Sequence, residues 1–201
     1  MLSTYNLPAP RRITASNLPL ASHHAGDEHA EPGVEVKVDE LETVPIFDGI
    51  LVRAVVATNK QIPTSNDGHG TIGLDEVPGI GIVLPGGLNL YYLDIAPNTE
   101  GGLHRTTSTD YLTVITGNLS LITPKPDAYQ VKDGKLVTGV ELVETVCRPG
   151  DVIAQRGMMH ALSNRTDEWV RVLCTVLSSE TNKVPIGETG RNKELHDQWI
   201  G

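Results

Sequence analysis

Short apolar runs separated by turn-forming residues make up most of this chain. The apolar side chains are largely Val, Ile and Leu, which suit the pleated, half-buried surface of a strand. Proline, glycine and Asp-Gly pairs interrupt these runs and predict turns. The predicted strands cover 35–38, 46–48, 49–58, 88–95, 111–122, 140–147, 152–155, 161–163 and 170–178. About ten short strands without a long helix indicate an all-β sandwich or barrel.

The two ends of the chain depart from this pattern. Pro8, Pro10 and Pro19 predict an extended N-terminal arm, because proline lacks a backbone donor and disfavours helix at the preceding residue. In the polar C-terminal stretch, only residues 194–199 suit a short helix. Three regions follow in chain order: an arm and loop over 1–34, a β-barrel domain over 35–180 and a tail over 181–201.

Strand alternation brings candidate chemistry to one side of the predicted barrel. Successive side chains of a strand point to opposite faces, so an inward His104 carries Thr106 inward with it. Beyond the next turn, Asp110 begins an inward-facing series of its own strand. Tyr91 and Tyr92 are neighbours and must face opposite sides, so only one of them lines a cavity.

Composition narrows the class of partner. The net charge is −9, and Lys and Arg do not cluster beyond Arg11 and Arg12, so the chain lacks the basic surface that nucleic acid requires. No apolar run reaches the ~18 residues of a membrane span, and the first residues do not resemble a secretory signal. Cys147 and Cys174 suit buried, reduced thiols. We therefore expect a cytoplasmic protein that binds a small molecule, and neither nucleic acid nor a membrane.

Two stretches place histidine or carboxylate beside tight turns, and their spacing is specific. The first contains His104, Thr106, Asp110 and Gly117. The second contains Gly150, Gln155, Gly157, His160 and Asn164. In order and separation these stretches resemble the two cupin motifs, His-x-His…Glu…Gly and Gly…Pro-x-Gly…His…Asn. Over 88–178 the chain resembles the cupin superfamily, in a subgroup of small single-domain proteins common in bacteria and in fungal secondary-metabolite pathways.

The resemblance implies a jelly-roll β-barrel that forms a homodimer and holds a divalent metal. The metal ligands would be His104, Asp110 and His160. The chain departs from the motif because Thr106 replaces the second histidine and Asp110 replaces a longer Glu. Two imidazoles and one carboxylate suit Fe(II), with Zn(II), Mn(II) and Ni(II) as alternatives. Because one usual ligand is lost, a metal-free site is a further alternative.

Four residues are expected to contact the substrate. Thr106 would orient a water molecule or the substrate, and Met158 would add apolar wall beside His160. Of the two adjacent tyrosines we assign Tyr92 to the cavity, where its hydroxyl would donate a hydrogen bond. Asn164 ends the second motif, and a role in orienting the site or in the turn is the alternative for it.

Three classes of function follow from this reading. The first is a lyase or isomerase that decarboxylates, dehydrates or rearranges a carbonyl-bearing, polyketide-type substrate, with His104, Asp110 and His160 as catalytic residues. A metal would polarise the carbonyl group; without one, a histidine would act as general base while Asp110 orients it. The second class is an Fe(II)-dependent dioxygenase, and the third is a non-catalytic barrel that binds a small ligand. Fold alone does not choose among them.

Overall fold

The computed structural model describes residues 4–78, 81–125, 129–137 and 139–200. Nearly all of its regular structure is strand, with one 3₁₀ turn at Ser22–His24. The strands are β1 Arg11–Asn17, β2 Val34–Glu40, β3 Val44–Ile46, β4 Leu51–Asn59, β5 Leu88–Ile95, β6 His104–Arg105, β7 Ser108–Thr116, β8 Leu119–Pro124, β9 Val131–Lys132, β10 Lys135–Leu136, β11 Leu142–Cys147, β12 Val152–Arg156, β13 Ala161–Ser163, β14 Val170–Ser178, β15 Asn182–Pro185, β16 Asn192–Leu195 and β17 Gln198–Trp199. The prediction of an all-β fold is confirmed. Within these ranges no helix is long and apolar enough to cross a membrane.

Two antiparallel sheets enclose the core. The larger has six strands in the order β12-β7-β14-β5-β4-β3, and the smaller has three in the order β11-β8-β13. Side chains of both sheets join one buried cluster, because Val114 and Val172 of the larger sheet pack with Leu119 of the smaller. The non-consecutive strand order and the shared core give the closed sandwich of a jelly roll.

The pattern of β7 shows why the sequence builds these sheets. Its side chains alternate, with Ser108, Asp110, Leu112 and Val114 buried. The strand predicted over 111–122 is divided, since β7 ends at Thr116 and β8 begins at Leu119, and the turn between them leads from the larger sheet to the smaller. Gly117 makes the turn with φ of 74°, where a Cβ atom would meet Cγ2 of Val170 at 2.8 Å. Only glycine satisfies both the backbone angle and the close approach.

The N-terminal region is extended, as predicted, and is paired. Strand β1 runs antiparallel to β2, with Ile13 opposite Val38. This pairing joins residues on both sides of the expected domain limit at residue 34. The domain limits at 34 and 180 therefore stay predictions, and the β1–β2 pair includes residues of both the arm and the barrel region.

The expected helix at 194–199 is wrong. Residues of that segment lie in β16 and β17 instead, where β16 pairs with β15 and β17 pairs with β6. A segment this short has little helical stability of its own in water. In the two strands, its backbone groups bond to residues that are distant in sequence. The hydrophobic period within the segment does not reveal these partners.

A buried ion pair fastens the start of the chain to the outer face of the larger sheet. Arg171 of β14 stands opposite Asp94 of β5 and donates two hydrogen bonds of 2.7 Å to its carboxylate. The Tyr5 hydroxyl also donates to Asp94, at 2.7 Å, and Arg171 donates to the carbonyl oxygen of Pro8 at 2.8 Å. Burial, and then the Asp94 carboxylate, raise the pKa of Tyr5 to about 12. Every charged oxygen of this cluster has a protein partner.

Candidate active site

A cavity of about 390 Å³ lies between the two sheets and is lined by strands of both. Most of its wall is apolar, from residues such as Leu93, Leu112 and Val176. Polar or charged side chains interrupt this wall, namely Arg53, Tyr91, Thr99, Glu100, Thr106, Asp110, Gln155, His104 and His160. An apolar pocket with few convergent polar groups is the usual form of a small-molecule site.

The two motif histidines meet at this cavity. His104 and His160 exchange backbone hydrogen bonds of 2.8 Å, which join β6 to the residue just before β13. Their ring centroids lie 4.4 Å apart, with the planes tilted by 52°. Residues 56 positions apart in sequence therefore form one unit, because the two short strands are neighbours.

Each imidazole is held by a carbonyl group of its own turn. Nδ1 of His104 lies 2.9 Å from the Gly102 oxygen, and Nδ1 of His160 lies 3.0 Å from the Met158 oxygen. A carbonyl oxygen only accepts, so Nδ1 must carry the proton in both rings. In the neutral form, Nε2 is then the nitrogen with a free lone pair.

Burial keeps both imidazoles in their neutral form near pH 7. Burial, and then the neighbouring His104 ring, lower the pKa of His160 to about 4. Burial also lowers the pKa of His104, opposed by its hydrogen bond to Gly102. Two neutral imidazoles with free lone pairs can accept protons or bind a cation.

Asp110 of β7 lines the same cavity, but it does not complete a three-residue metal site with the two histidines. Its Oδ1 atom is buried without a hydrogen-bond partner in the described ranges. Burial raises the pKa of this carboxyl group, opposed by Ser108. No group of three His, Cys, Asp or Glu side chains in the described ranges comes together closely enough to hold a metal. The residues present therefore do not fit the expected three-ligand metal site, and the metal stays a prediction.

The C-terminal tail covers the mouth of the cavity. The Trp199 ring stacks on His104, with centroids 4.3 Å apart and planes within 6° of parallel. Strand β17 holds it there by pairing with β6. The Asp197 carboxylate adds two hydrogen bonds of 2.6 Å, one from the Thr107 amide and one from the Thr107 hydroxyl. Trp199 was not among the expected site residues, because nothing in the polar tail predicts pairing with a strand some 90 residues earlier.

Comparison with curated proteins gives two partial relatives. No family model matches the sequence. Phomopsin biosynthesis cluster proteins D and C′ of Diaporthe leptostromiformis are each 31% identical to the chain over 101 residues. Each match covers 50% of this chain and 45% of the relative. The chain thus spans less than half the length of the curated relatives it matches.

Solved structures give loose likenesses of low identity. A polyketide cyclase of Streptomyces resistomycificus is 13% identical, with a TM-score of 0.42 and 81% of both chains covered. A cupin-2 domain of Rhodospirillum rubrum is 13% identical, with a TM-score of 0.39 and 93% and 82% of the two chains covered. An oxalate oxidase is 22% identical, with a TM-score of 0.34 and 45% and 42% covered. None of these scores carries an argument about activity.

The two motif stretches come together in the fold. Both lie at one barrel cavity, and His104 of the first pairs with His160 of the second. The all-β fold and this meeting of the two stretches agree with the resemblance to the cupin superfamily. Thr106, which replaces a motif histidine, also lines the cavity and accepts or donates a 2.9 Å hydrogen bond with Ser108.

Tyr91, and not Tyr92, lines the cavity. Tyr91 belongs to the core cluster, and the guanidinium carbon of Arg53 lies 4.5 Å from its ring centroid. Tyr92 faces the other side of β5, where Arg171 lies 5.5 Å from its ring. The assignment of Tyr92 to the substrate is corrected, since alternation separates the pair without telling which one is inside.

Asn164 is a structural residue. It is fully buried, and its amide nitrogen donates to the carbonyl groups of Ile95, Ala96 and Glu168. Its side-chain oxygen accepts from Thr166. The expected substrate contact is corrected, because no polar atom of Asn164 is left for a ligand. The alternative, a residue of the turn, describes it.

Met158 lies outside the main cavity. It lines a separate surface depression with Arg156, Gly157 and Asn182. The neighbouring Met159 is the buried one of the pair. The expected contact between Met158 and a substrate in the cavity is therefore corrected, because the turn that positions His160 directs Met158 away.

Gln155 is a site residue that the sequence did not single out. It is 2% exposed, lines the cavity and stands opposite Asp110 across the pair β12–β7. Glutamine is usually exposed, so the residue type gives no signal for an inward position. The available signal was its inward register with Ile153 two residues earlier.

Proposed function

We propose that this chain binds a small, carbonyl-bearing molecule and transfers a proton at the carbon next to the carbonyl group, as a lyase or an isomerase does. One observation carries the proposal: two facing imidazoles at the mouth of an apolar cavity, each with Nδ1 bound to a backbone carbonyl. This arrangement leaves the basic nitrogen of each ring for a substrate.

His160 is the proposed general base. Its ring is the more buried of the two and is not the one that Trp199 stacks on. Its Nε2 takes the proton from the substrate carbon, and the C–H electron pair becomes the enolate. The positive charge on the ring is then stabilised by the bond from Nδ1 to the Met158 carbonyl group.

The proton returns to the substrate in the second half of the reaction. Delivery to a different carbon completes an isomerisation, and delivery to a leaving hydroxyl group completes a dehydration with release of water. Arg53 and Thr106 line the same cavity and supply donors for the enolate oxygen. The ring centroid of His104 lies 4.4 Å from that of the base, and its lone pair would help to hold the proton-bearing ring.

A metal is not part of these steps. A divalent ion bound to the two imidazoles would polarise a substrate carbonyl group. The described residues do not close a three-ligand set around such an ion, so each step is assigned to a protein side chain.

The curated relatives support a place in secondary metabolism. Both carry the name of a phomopsin biosynthesis cluster. We propose the same setting for this chain, with a substrate made by a biosynthetic pathway of that type.

Proton exchange tests the proposed reaction without knowledge of the natural substrate. Acetophenone in D₂O loses its methyl proton signal when a base removes those protons, and its uncatalysed exchange is slow. We expect the full chain, with its metal content measured, to catalyse this loss. His160→Ala should slow it by about 10²–10⁴-fold, the usual contribution of a general base.

The matched control is His69→Ala, which removes an exposed histidine. It should exchange at the wild-type rate. Equal rates for His160→Ala and the wild type would contradict the proposal. Binding of the probe without exchange in the wild type would instead identify a non-catalytic ligand-binding barrel.

A further inference from the structure

Gln155 and Asp110 form a second polar group in the cavity, apart from the histidine pair at the mouth. We infer that these two side chains recognise a primary carboxamide on the ligand. The inference rests on the proposed function in one respect: the ligand occupies the same cavity. The proposed reaction gives neither the Gln155 amide nor an amide on the ligand any role.

The Gln155 side chain is buried without partners. It is 2% exposed, and in the described ranges neither Nε2 nor Oε1 has a hydrogen-bond partner. The Oδ1 atom of Asp110 is in the same condition. Buried polar atoms in native proteins are almost always paired, so such a set marks the place of a ligand or of ordered water.

Strand register holds the two side chains together. Gln155 of β12 is directly opposite Asp110 of β7, and opposed residues of an antiparallel pair project from the same face. Both line the cavity, while Ala154 and Arg156, the neighbours of Gln155, are exposed on the other face. The geometry therefore presents an amide and a carboxyl group side by side to the same ligand.

The hydrogen-bond donors and acceptors of Gln155 and Asp110 determine which ligand group fits. Gln155 offers N–H donors and one oxygen acceptor, and Asp110 offers a further acceptor. A primary carboxamide has one oxygen and two N–H bonds. Its oxygen accepts from Nε2, one N–H donates to Oε1 of Gln155, and the other donates to Oδ1 of Asp110.

Other common ligand groups leave at least one of these donors or acceptors unpaired. A carboxylate has no donor for the two oxygen atoms and places its negative charge beside Asp110. An amidinium has donors for both oxygen atoms but no acceptor for Nε2. The apolar remainder of the wall, including Leu93 and Leu112, favours an aryl or alkyl body behind the amide.

Three probes of the same shape test this inference: benzamide, benzoate and benzamidine. Their binding to the full chain is measured by calorimetry or by saturation-transfer NMR. We expect benzamide to bind best to the wild type. Gln155→Leu should weaken benzamide at least about tenfold, the equivalent of ~1.4 kcal/mol, and should weaken benzamidine, which loses only one acceptor, by less.

Gln155→Glu is the second variant, and it guards against a simple folding defect. It replaces the donor by a second carboxyl group, so the preference should change from benzamide to benzamidine. A misfolded protein would lose all three probes and would not reverse their order. Equal binding of the three probes to the wild type would mean that water alone fills the site, and would overturn the inference.

His160→Ala separates this inference from the proposed reaction. It should abolish proton exchange yet keep the preference for benzamide, because His160 takes no part in the amide contacts. If the preference holds while the wild type catalyses no exchange, the proposed function fails and the amide site stands. If exchange depends on His160 while the probes bind equally, the amide site fails and the function stands.

Discussion

The larger sheet carries a polar cluster on each of its faces, and the two differ in hydrogen bonding. On the outer face, both oxygen atoms of Asp94 accept hydrogen bonds, from Arg171 and Tyr5. On the inner face, Asp110 and Gln155 have buried polar atoms without partners in the described ranges. Both carboxyl groups are almost fully buried. A fully bonded cluster fixes the fold, whereas an incompletely bonded one is available to a ligand.

The largest effect is expected where the bonded cluster is broken. Arg171→Met leaves the Asp94 carboxylate buried and uncompensated, which should lower the free energy of unfolding by about 3–5 kcal/mol. Urea denaturation measures the change. Arg156→Met is the control, because that exposed arginine should change stability by no more than about 0.5 kcal/mol.

A double variant sharpens this prediction. Arg171→Met combined with Asp94→Leu removes both charges, and an apolar pair often replaces a buried ion pair without loss. We expect part of the lost stability to return. If the single variant is as stable as the wild type, the outer cluster does not hold the fold.

The next prediction compares two buried side-chain amides. One is hydrogen-bonded, and the other has no partner among the described residues. Asn164→Leu removes an amide that bonds to Ile95, Ala96 and Glu168, and should cost at least about 2 kcal/mol. Gln155→Leu removes an amide that has no hydrogen-bond partner among the described residues, and should be neutral or stabilising by about 1 kcal/mol. Equal losses for the two variants would show that the Gln155 amide is satisfied in the free protein.

The smallest effect concerns a bonded carboxylate at the surface. Hydrogen bonds from Arg165, and secondly from Ser163, lower the pKa of Glu100, opposed by slight burial. A lowered carboxyl pKa adds stability above the pKa of the unfolded chain, and this stability is lost as pH falls through the folded pKa. Glu100→Gln should therefore flatten the acid side of the stability curve slightly, because an exposed pair is screened by solvent. A steeper acid side in this variant would contradict the account.

The sequence predicted the core strands well because their side chains carry a local signal. The strands 88–95, 161–163 and 170–178 have the predicted limits, since branched residues and flanking turns mark them. His104 and His160 meet in one cavity as the motif resemblance implied. Their proposed role as a proton-transferring pair, and a metal between them, stay predictions.

The missed features depend on contacts between distant segments. Trp199 reaches the cavity only because the tail pairs with β6. The Tyr5 ring packs against Trp169, some 160 residues later in the chain, with the ring centroids 5.0 Å apart. The choice of Tyr92 over Tyr91 failed because alternation defines two faces without naming the inner one. Gln155 was missed because a polar residue in a strand usually marks the solvent side.

Nitrogen-15 NMR of the histidine side chains tests the central claim most directly. The measurement uses the full chain at pH 7 with its metal content determined, and His104→Ala and His160→Ala assign the signals. Two neutral rings with the proton on Nδ1 and a free lone pair on Nε2 are the predicted result, because each Nδ1 lies against a carbonyl oxygen. A proton on Nε2 of His160, or a charged ring at that pH, would contradict its assignment as the base.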